Sequence, residues 1–159
     1  MSAPTRRIFW AWLWVALCVA VIWTFSGESF SGTGTSRFLV PMLRWLWPEI
    51  SNNTIYTIHL FVRKSAHVTE YAVLALLAAR ALRITLDVSL LRVAVLTLLL
   101  VLAVSGVDEV RQSILPTRTG SITDVAIDFA GGALGVVLIV ALHRWLGVGA
   151  QLPRPREGA

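Results

Sequence analysis

Two clusters of charged residues stand beside apolar stretches of this sequence, and both contain groups that could bind an anion or transfer a proton. The first is Arg63-Lys64-Ser-Ala-His67-Val-Thr-Glu70-Tyr71. At helical spacing Lys64, His67 and Tyr71 share one face, and Arg63, His67 and Glu70 approximately share another. Guanidinium and ammonium groups make strong charge-assisted hydrogen bonds to phosphate. Histidine and glutamate are common general acids and bases.

The second cluster is Asp108-Glu109-Val-Arg111-Gln112. Asp108 and Gln112 are one helical turn apart, so they can face the same neighbouring helix. The acidic pair adds further candidates for proton transfer, and the amide of Gln112 can both donate and accept hydrogen bonds.

A polar loop follows the second cluster, and Arg118 is the one arginine within it. Ser121, followed three residues later by Asp124, matches a capping box at the start of the next helix. Asp124 and Asp128 are one turn apart, so they lie on one face of that helix. The same face continues into a pair of glycines, Gly131 and Gly135, whose spacing allows close helix packing in lipid.

These segments supply the candidate site residues. We expect acid or base roles for six of them: His67, Glu70, Asp108, Glu109, Asp124 and Asp128. We expect ligand contacts from another six: Arg63, Lys64, Tyr71, Gln112, Arg118 and Ser121. The same charges are also compatible with a structural salt-bridge network or a proton relay. One histidine among oxygen ligands is a weak metal signature, so no metal ion and no cofactor are predicted.

The composition indicates that the elements positioning these residues are membrane helices. Of the 159 residues, 56% are hydrophobic and 14% are charged, and the mean hydropathy is +0.72. A soluble domain carries about 25% charged residues. The balance therefore excludes an ordinary soluble domain, a disordered chain and a nucleic-acid-binding domain. The single cysteine, Cys18, excludes an intrachain disulfide.

Apolar stretches of this length predict an all-α integral membrane four-helix bundle, because about 20 residues cross the hydrocarbon layer as a helix. The predicted spans are residues 8–25, 63–83, 90–107 and 124–145, within a single domain of residues 1–150 followed by a disordered cytoplasmic tail at 151–159. Glu70 then lies inside the membrane, where a charge costs at least about 2.5 kcal/mol unless it is paired or hydrated.

The first span begins after Arg6-Arg7, which resemble a twin-arginine signal. The run is longer than a signal core and holds four tryptophans, so we interpret it as a retained span. The loop of residues 26–53 opens with small turn residues and continues as an interfacial segment, Arg37 to Pro48, which mixes arginine with tryptophan. Asn52 or Asn53 could cap a helix that starts before the second span.

The basic residues predict a plasma-membrane protein with both termini in the cytoplasm. With this topology the cytoplasmic side holds eight basic and two acidic residues, and the outer side holds six basic and seven acidic residues. Both charge clusters then lie at the outer end of the helices.

At these clusters the sequence resembles the VanZ-like family of bacterial membrane proteins. Four motifs carry the resemblance in order: Arg63 to Tyr71, Asp108 to Gln112, Arg118 to Asp124 and Asp128 to Gly132. One departure is Asp128, where asparagine is common in the family. The resemblance implies a small membrane protein of mostly four helices that acts at the cell envelope, in a family whose named member is linked to teicoplanin resistance.

These observations lead to one main hypothesis and two alternatives. The main hypothesis is an outer-leaflet site that binds or modifies an anionic lipid headgroup or a lipid-linked cell-wall precursor, with membrane lipids or a glycopeptide as further partners and no nucleic acid. The alternatives are a non-catalytic scaffold that alters antibiotic access, and a small proton-coupled carrier. The sequence leaves the oligomeric state open.

Overall fold

The computed structural model describes residues 3–27, 32–116 and 120–145. Over these residues the chain forms five helices and no strand. The helices are α1 (Ala3–Phe25), α2 (Gly32–Leu46), α3 (Asn52–Thr85), α4 (Leu90–Ser113) and α5 (Ile122–Trp145). The all-α prediction is therefore confirmed for the described residues. Arg118 and the 151–159 tail lie outside them.

Three of these helices are long and apolar enough to cross a membrane: α1 from Pro4, α4 and α5. Helix α3 is longer than any of them, but it carries the first charge cluster and does not meet the same hydropathy criterion. The apolar helices are typical of a membrane protein.

Two helices begin earlier than the sequence predicts. Helix α2 starts at Gly32, within the stretch of small residues that predicted turns. Helix α3 starts at Asn52, and its cap is Ser51 rather than either asparagine, because the Ser51 hydroxyl accepts the Thr54 N–H at 3.1 Å. Helix α4 also continues to Ser113, so the whole Asp108–Gln112 cluster is helical.

Helix α3 lies at the centre of the fold, with its largest interface on α5 and further interfaces on α1 and α4. Its buried face is built largely of alanine, with Tyr71 and Leu74 as the large side chains that are fully buried. Small residues let the neighbouring helices approach closely, which is how helices gain van der Waals contact in lipid.

The closest approach is between α3 and α5. A Cβ added at Gly131 would lie 2.5 Å from the backbone oxygen of Val68, and one added at Gly135 would lie 2.6 Å from that of Ala72. The two helices therefore meet backbone to backbone, and this contact fixes their register. Asp128, one turn before Gly131, is thereby placed next to the first charge cluster.

Candidate functional site

A buried chain of three polar side chains links α3, α5 and α4. Nδ1 of His67 lies 2.9 Å from Oδ1 of Asp128, and the Ser105 hydroxyl donates to Oδ2 of Asp128 at 2.7 Å. Asp128 and Ser105 are both 0% exposed, and His67 is buried. Because a carboxylate oxygen accepts, His67 donates from Nδ1, which leaves Nε2 as the ring nitrogen not engaged by Asp128.

Ser105 was not predicted from the sequence. It is a small polar residue within the apolar α4, where most hydroxyls satisfy the backbone of their own helix. Here its hydroxyl instead holds the second oxygen of Asp128. With both oxygens engaged, the carboxylate is fixed in position and fixes in turn the orientation of the His67 ring.

The start of α5 is held by a neighbouring helix rather than by a local capping box. In a capping box the side chain of Asp124 would return to the Ser121 N–H. In the structure that N–H donates to Oε2 of Glu109 at 2.7 Å, across from α4. The Ser121 hydroxyl accepts from the Thr123 N–H at 3.2 Å. The Asp124 carboxylate is therefore free to face α3.

Asp124 faces the two cations of the first cluster. Its Oδ1 lies 3.4 Å from Nζ of Lys64, and its Oδ2 lies 3.7 Å from Nη2 of Arg63. The Arg63 guanidinium also donates to the side-chain oxygen of Gln112 over 3.5 Å. All three distances are long for such contacts. Asp124 is thus shared between the two cations at long distances.

Gln112 connects the cations to the acids of α4. Its amide nitrogen donates to Oδ2 of Asp108 at 2.9 Å and to Oε1 of Glu109 at 3.1 Å. Its oxygen accepts from Arg63. All of these acceptors and the amide itself are buried. Gln112 therefore links α4 to the Arg63 guanidinium through hydrogen bonds, so the position of α4 sets where Arg63 finds its acceptor.

Arg111 turns away from this network. It donates to the backbone oxygen of Trp23 at 2.6 Å, and its guanidinium lies 5.7 Å from the centre of the Trp23 ring. Its Nε is 3.7 Å from Oδ1 of Asp108, so that contact is an ion pair without a hydrogen bond. Arg111 thus ties α4 to the end of α1.

A cavity of about 210 Å³ lies where α1, α2 and α3 meet, and the first cluster forms one wall of it. Its polar lining residues are Ser26, Thr35, His59, Arg63, His67 and Glu70. We call it the junction cavity. A smaller cavity of about 60 Å³ lies between α3 and α5, and its lining includes Lys64 and Asp124. Arg63 and His67 line both cavities.

His59 is the second residue that the sequence analysis did not identify. Its Nε2 is buried and has no hydrogen-bond partner among the described residues, although the ring lines the junction cavity. His59, Arg63, His67 and Tyr71 are each four residues apart, so they follow one face of α3. Extending the first cluster backwards by one turn would have found it.

The remaining predicted residues are placed as follows. Tyr71 is fully buried and its hydroxyl has no hydrogen-bond partner among the described residues, so it packs in the core beneath the cavity. Asp108, Glu109, Gln112 and Ser121 join the network through hydrogen bonds and are not lining residues of either cavity. Within the described parts of the chain, no three His, Cys, Asp or Glu side chains are placed to hold a metal ion.

This arrangement is suited to bind an anion next to an oriented imidazole. The junction cavity presents the Arg63 guanidinium beside two imidazole rings on one helix face, with the Glu70 carboxylate also in its lining. Charge-assisted hydrogen bonds from a guanidinium are among the strongest that a protein makes to phosphate. The bond from His67 to a buried carboxylate is the arrangement by which a histidine is held as a base or acid.

Comparison with known proteins gives one match. A family model described as VanZ/LLP1 matches residues 9–143. No curated protein and no solved structure matches significantly. The matched region includes both charge clusters, the loop between α4 and α5, and Asp128.

Proposed function

Because this chain belongs to the VanZ/LLP1 family, we propose that it is a multi-pass protein of the cell envelope that binds an anionic lipid headgroup. The ligand is a phospholipid or a lipid-linked cell-wall precursor, and its phosphate lies in the junction cavity against Arg63. The observation that carries the proposal is the cavity itself, with its guanidinium and two imidazoles. Teicoplanin resistance would follow if occupancy withholds the precursor from the antibiotic.

The spacing of charges supports a four-helix arrangement in which α3 is the fourth span. Charged residues stand about 28–30 Å apart along three helices, at 1.5 Å per residue: Lys64 and Arg83 on α3, Arg92 and Arg111 on α4, and Asp124 and Arg144 on α5. This distance matches a hydrocarbon core of about 30 Å. The polar network then lies at one membrane boundary, within the reach of headgroups.

The exposed residues of helix α2 also support a position of the junction cavity at the membrane boundary. It presents Phe38 and Trp45 with 82% and 81% of their surfaces exposed, together with Arg37 and Arg44. Exposed aromatics beside arginines are typical of a helix lying in the headgroup region. Thr35 of this helix lines the junction cavity, so the cavity opens near the headgroups.

The size of the cavity restricts the ligand. Pockets for drug-sized molecules measure about 300–1,000 Å³, and the junction cavity measures about 210 Å³. It therefore holds a phosphate with a small substituent, while the acyl or polyprenyl chain stays in the bilayer. A whole glycopeptide is too large for it, so this proposal assigns the cavity to the lipid and not to the antibiotic.

The orientation of the chain follows from its basic residues: both termini lie in the cytoplasm and the junction cavity lies outside. Cysteine labelling tests this in a Cys18→Ala background. Glu49 and Asp87 are both exposed and stand at opposite ends of α3. An impermeant maleimide added to intact cells should label Glu49→Cys and spare Asp87→Cys. The reverse pattern would show an inverted protein.

Lipid binding itself is tested with Arg63→Gln. The purified protein is titrated in detergent with phosphatidylglycerol, undecaprenyl phosphate or phosphatidylcholine, and bound lipid is measured by native mass spectrometry. A hydrogen bond to a charged group contributes about 1.5–3 kcal/mol, so binding of the preferred anionic lipid should weaken at least about tenfold. The two anionic lipids distinguish a phospholipid from a wall-precursor carrier.

The matched control is Arg37→Gln, which removes an exposed charge on α2 that does not line the cavity. It should change binding less than twofold. Equal losses in the two variants would show that diffuse surface charge attracts the lipid, and the junction cavity would then not be the site. His67→Gln adds a second readout: if the protein modifies its ligand, this variant keeps binding and loses resistance.

A further inference from the structure

A second cavity beside two arginines lies at the opposite end of α3, far from the junction cavity. It is a groove of about 460 Å³ between α3 and α5, lined by Leu76, Ala79, Arg80, Arg83, Ile84 and Ile139. We call it the distal groove. Its floor is apolar and its two polar lining residues are both arginines. Nothing in the proposed function uses it.

The two arginines are one turn apart on α3 and have no acidic partner within the described residues. Within the described residues Arg80 makes no ion pair, and the side-chain hydrogen bond of Arg83 is with Nδ1 of His143 at 3.3 Å. His143 is itself followed by Arg144. This contrasts with the opposite end of α3, where Arg63 and Lys64 share Asp124.

With α3 as the fourth membrane span proposed above, the groove lies at membrane depth. Arg83 marks the boundary on α3, and Leu76 is about 10 Å further along the axis toward the hydrocarbon centre. Arg80 lies between them, about 4.5 Å inside the boundary. An unpaired cation at this level is unfavourable unless it reaches water or an anion. Apolar residues below and cations above match the two parts of a phospholipid.

A neighbouring groove repeats this pattern. It measures about 380 Å³, lies between α1 and α3, and is lined by Pro4, Arg7, Ile8 and Ile84. Ile84 lines both grooves, so apolar channels with arginine at the mouth flank the end of α3 on two sides. Two apolar grooves with an arginine in the lining therefore stand on either side of this end of α3.

We propose that the distal groove is a binding site for one anionic phospholipid of the leaflet opposite the junction cavity. One acyl chain lies against Leu76, Ala79 and Ile139, and the phosphate lies between the guanidinium groups of Arg80 and Arg83. Basic pockets between membrane helices are a recurring mode of anionic-lipid recognition. The site is separate from the junction cavity and rests on the proposed function only for the placement of α3 as a membrane span.

The test uses the full chain in nanodiscs with a phosphatidylglycerol that carries a photoactivatable group on one acyl chain. After irradiation, the labelled peptides are mapped by mass spectrometry. Cross-links should concentrate in residues 76–84 and around 139. Unlabelled phosphatidylglycerol should compete at least about fivefold better than phosphatidylcholine. Cross-links spread evenly along all helices, or equal competition by the two lipids, would overturn the proposal.

Variants then separate the groove from general surface charge. Arg80→Gln/Arg83→Gln should remove the preference for phosphatidylglycerol. The matched control is Arg92→Gln/Arg144→Gln, which removes two exposed arginines from the same end without altering the groove lining. It should keep the preference and the cross-linking pattern. Equal loss in both double variants would assign the effect to diffuse charge and refute the site.

Discussion

Replacing Gly131 by alanine is expected to separate α3 from α5 and to destabilise the protein more than any other single methyl addition on α5. The added Cβ would lie 2.5 Å from the Val68 oxygen and 2.9 Å from its Cα. Both are backbone atoms, so no side chain can rotate away and the helices themselves must shift. Overpacking of this kind costs typically about 1–3 kcal/mol, and the rigid neighbour favours the upper end of that range.

The measurement is thermal unfolding of the purified variant in detergent, together with its elution as a single species. The control is Gly106→Ala on α4, where an added Cβ meets nothing within 4 Å. That change should leave the melting temperature unchanged or raise it, because alanine favours a helix over glycine by about 0.5–1 kcal/mol. Equal melting temperatures for Gly131→Ala and Gly106→Ala would show that the backbones of α3 and α5 are not in close contact at Gly131.

Replacing Asp128 by alanine is expected to have the second large effect. The change leaves the Ser105 hydroxyl and Nδ1 of His67 without their shared acceptor, in surroundings where Ser105 is fully buried. Each buried donor left unpaired costs about 1–3 kcal/mol. Asp128→Asn should be milder, because its amide oxygen still accepts from Ser105.

Thermal unfolding again measures the effect, with Asp124→Ala as the control. Asp124 is partly exposed and its ion pairs are long, so its loss should cost at most about 1 kcal/mol. A double variant, His67→Leu/Asp128→Leu, removes both buried polar groups together. It should recover much of the stability, since apolar replacement of a buried pair is often neutral.

The sequence predicts the fold class and the general position of the site, because hydropathy and helical period are local properties. Apolar stretches predict the helices α1, α4 and α5, and the charges at their ends predict which residues lie near one another. Arg63, Lys64 and Asp124 do form contacts.

The partner of each side chain could not be predicted, because pairing depends on the register between helices. The Glu109 carboxylate, for example, accepts the Ser121 N–H at the start of α5, a contact that the sequence does not indicate. Arg111 lies beside Asp108, as the sequence suggests, but its hydrogen bond to the Trp23 backbone at the end of α1 could not be predicted. The glycines that set the register can be recognised in the sequence. The sequence does not show which helix they contact, and therefore does not show which residues lie beside Asp128.

The bond between Glu109 and Ser121 has a consequence for the connection between α4 and α5. A Cβ on Gly120 would also contact Ser113, so the two ends of this connection stand side by side on the last turn of α4. The position of α5 is therefore set by the ends of the loop and not by its length. Loop-closure entropy rises only by about 0.6 kcal/mol for each doubling in length. Related chains can thus lengthen or shorten residues 114–119, and present different side chains there, while the helices stay in place.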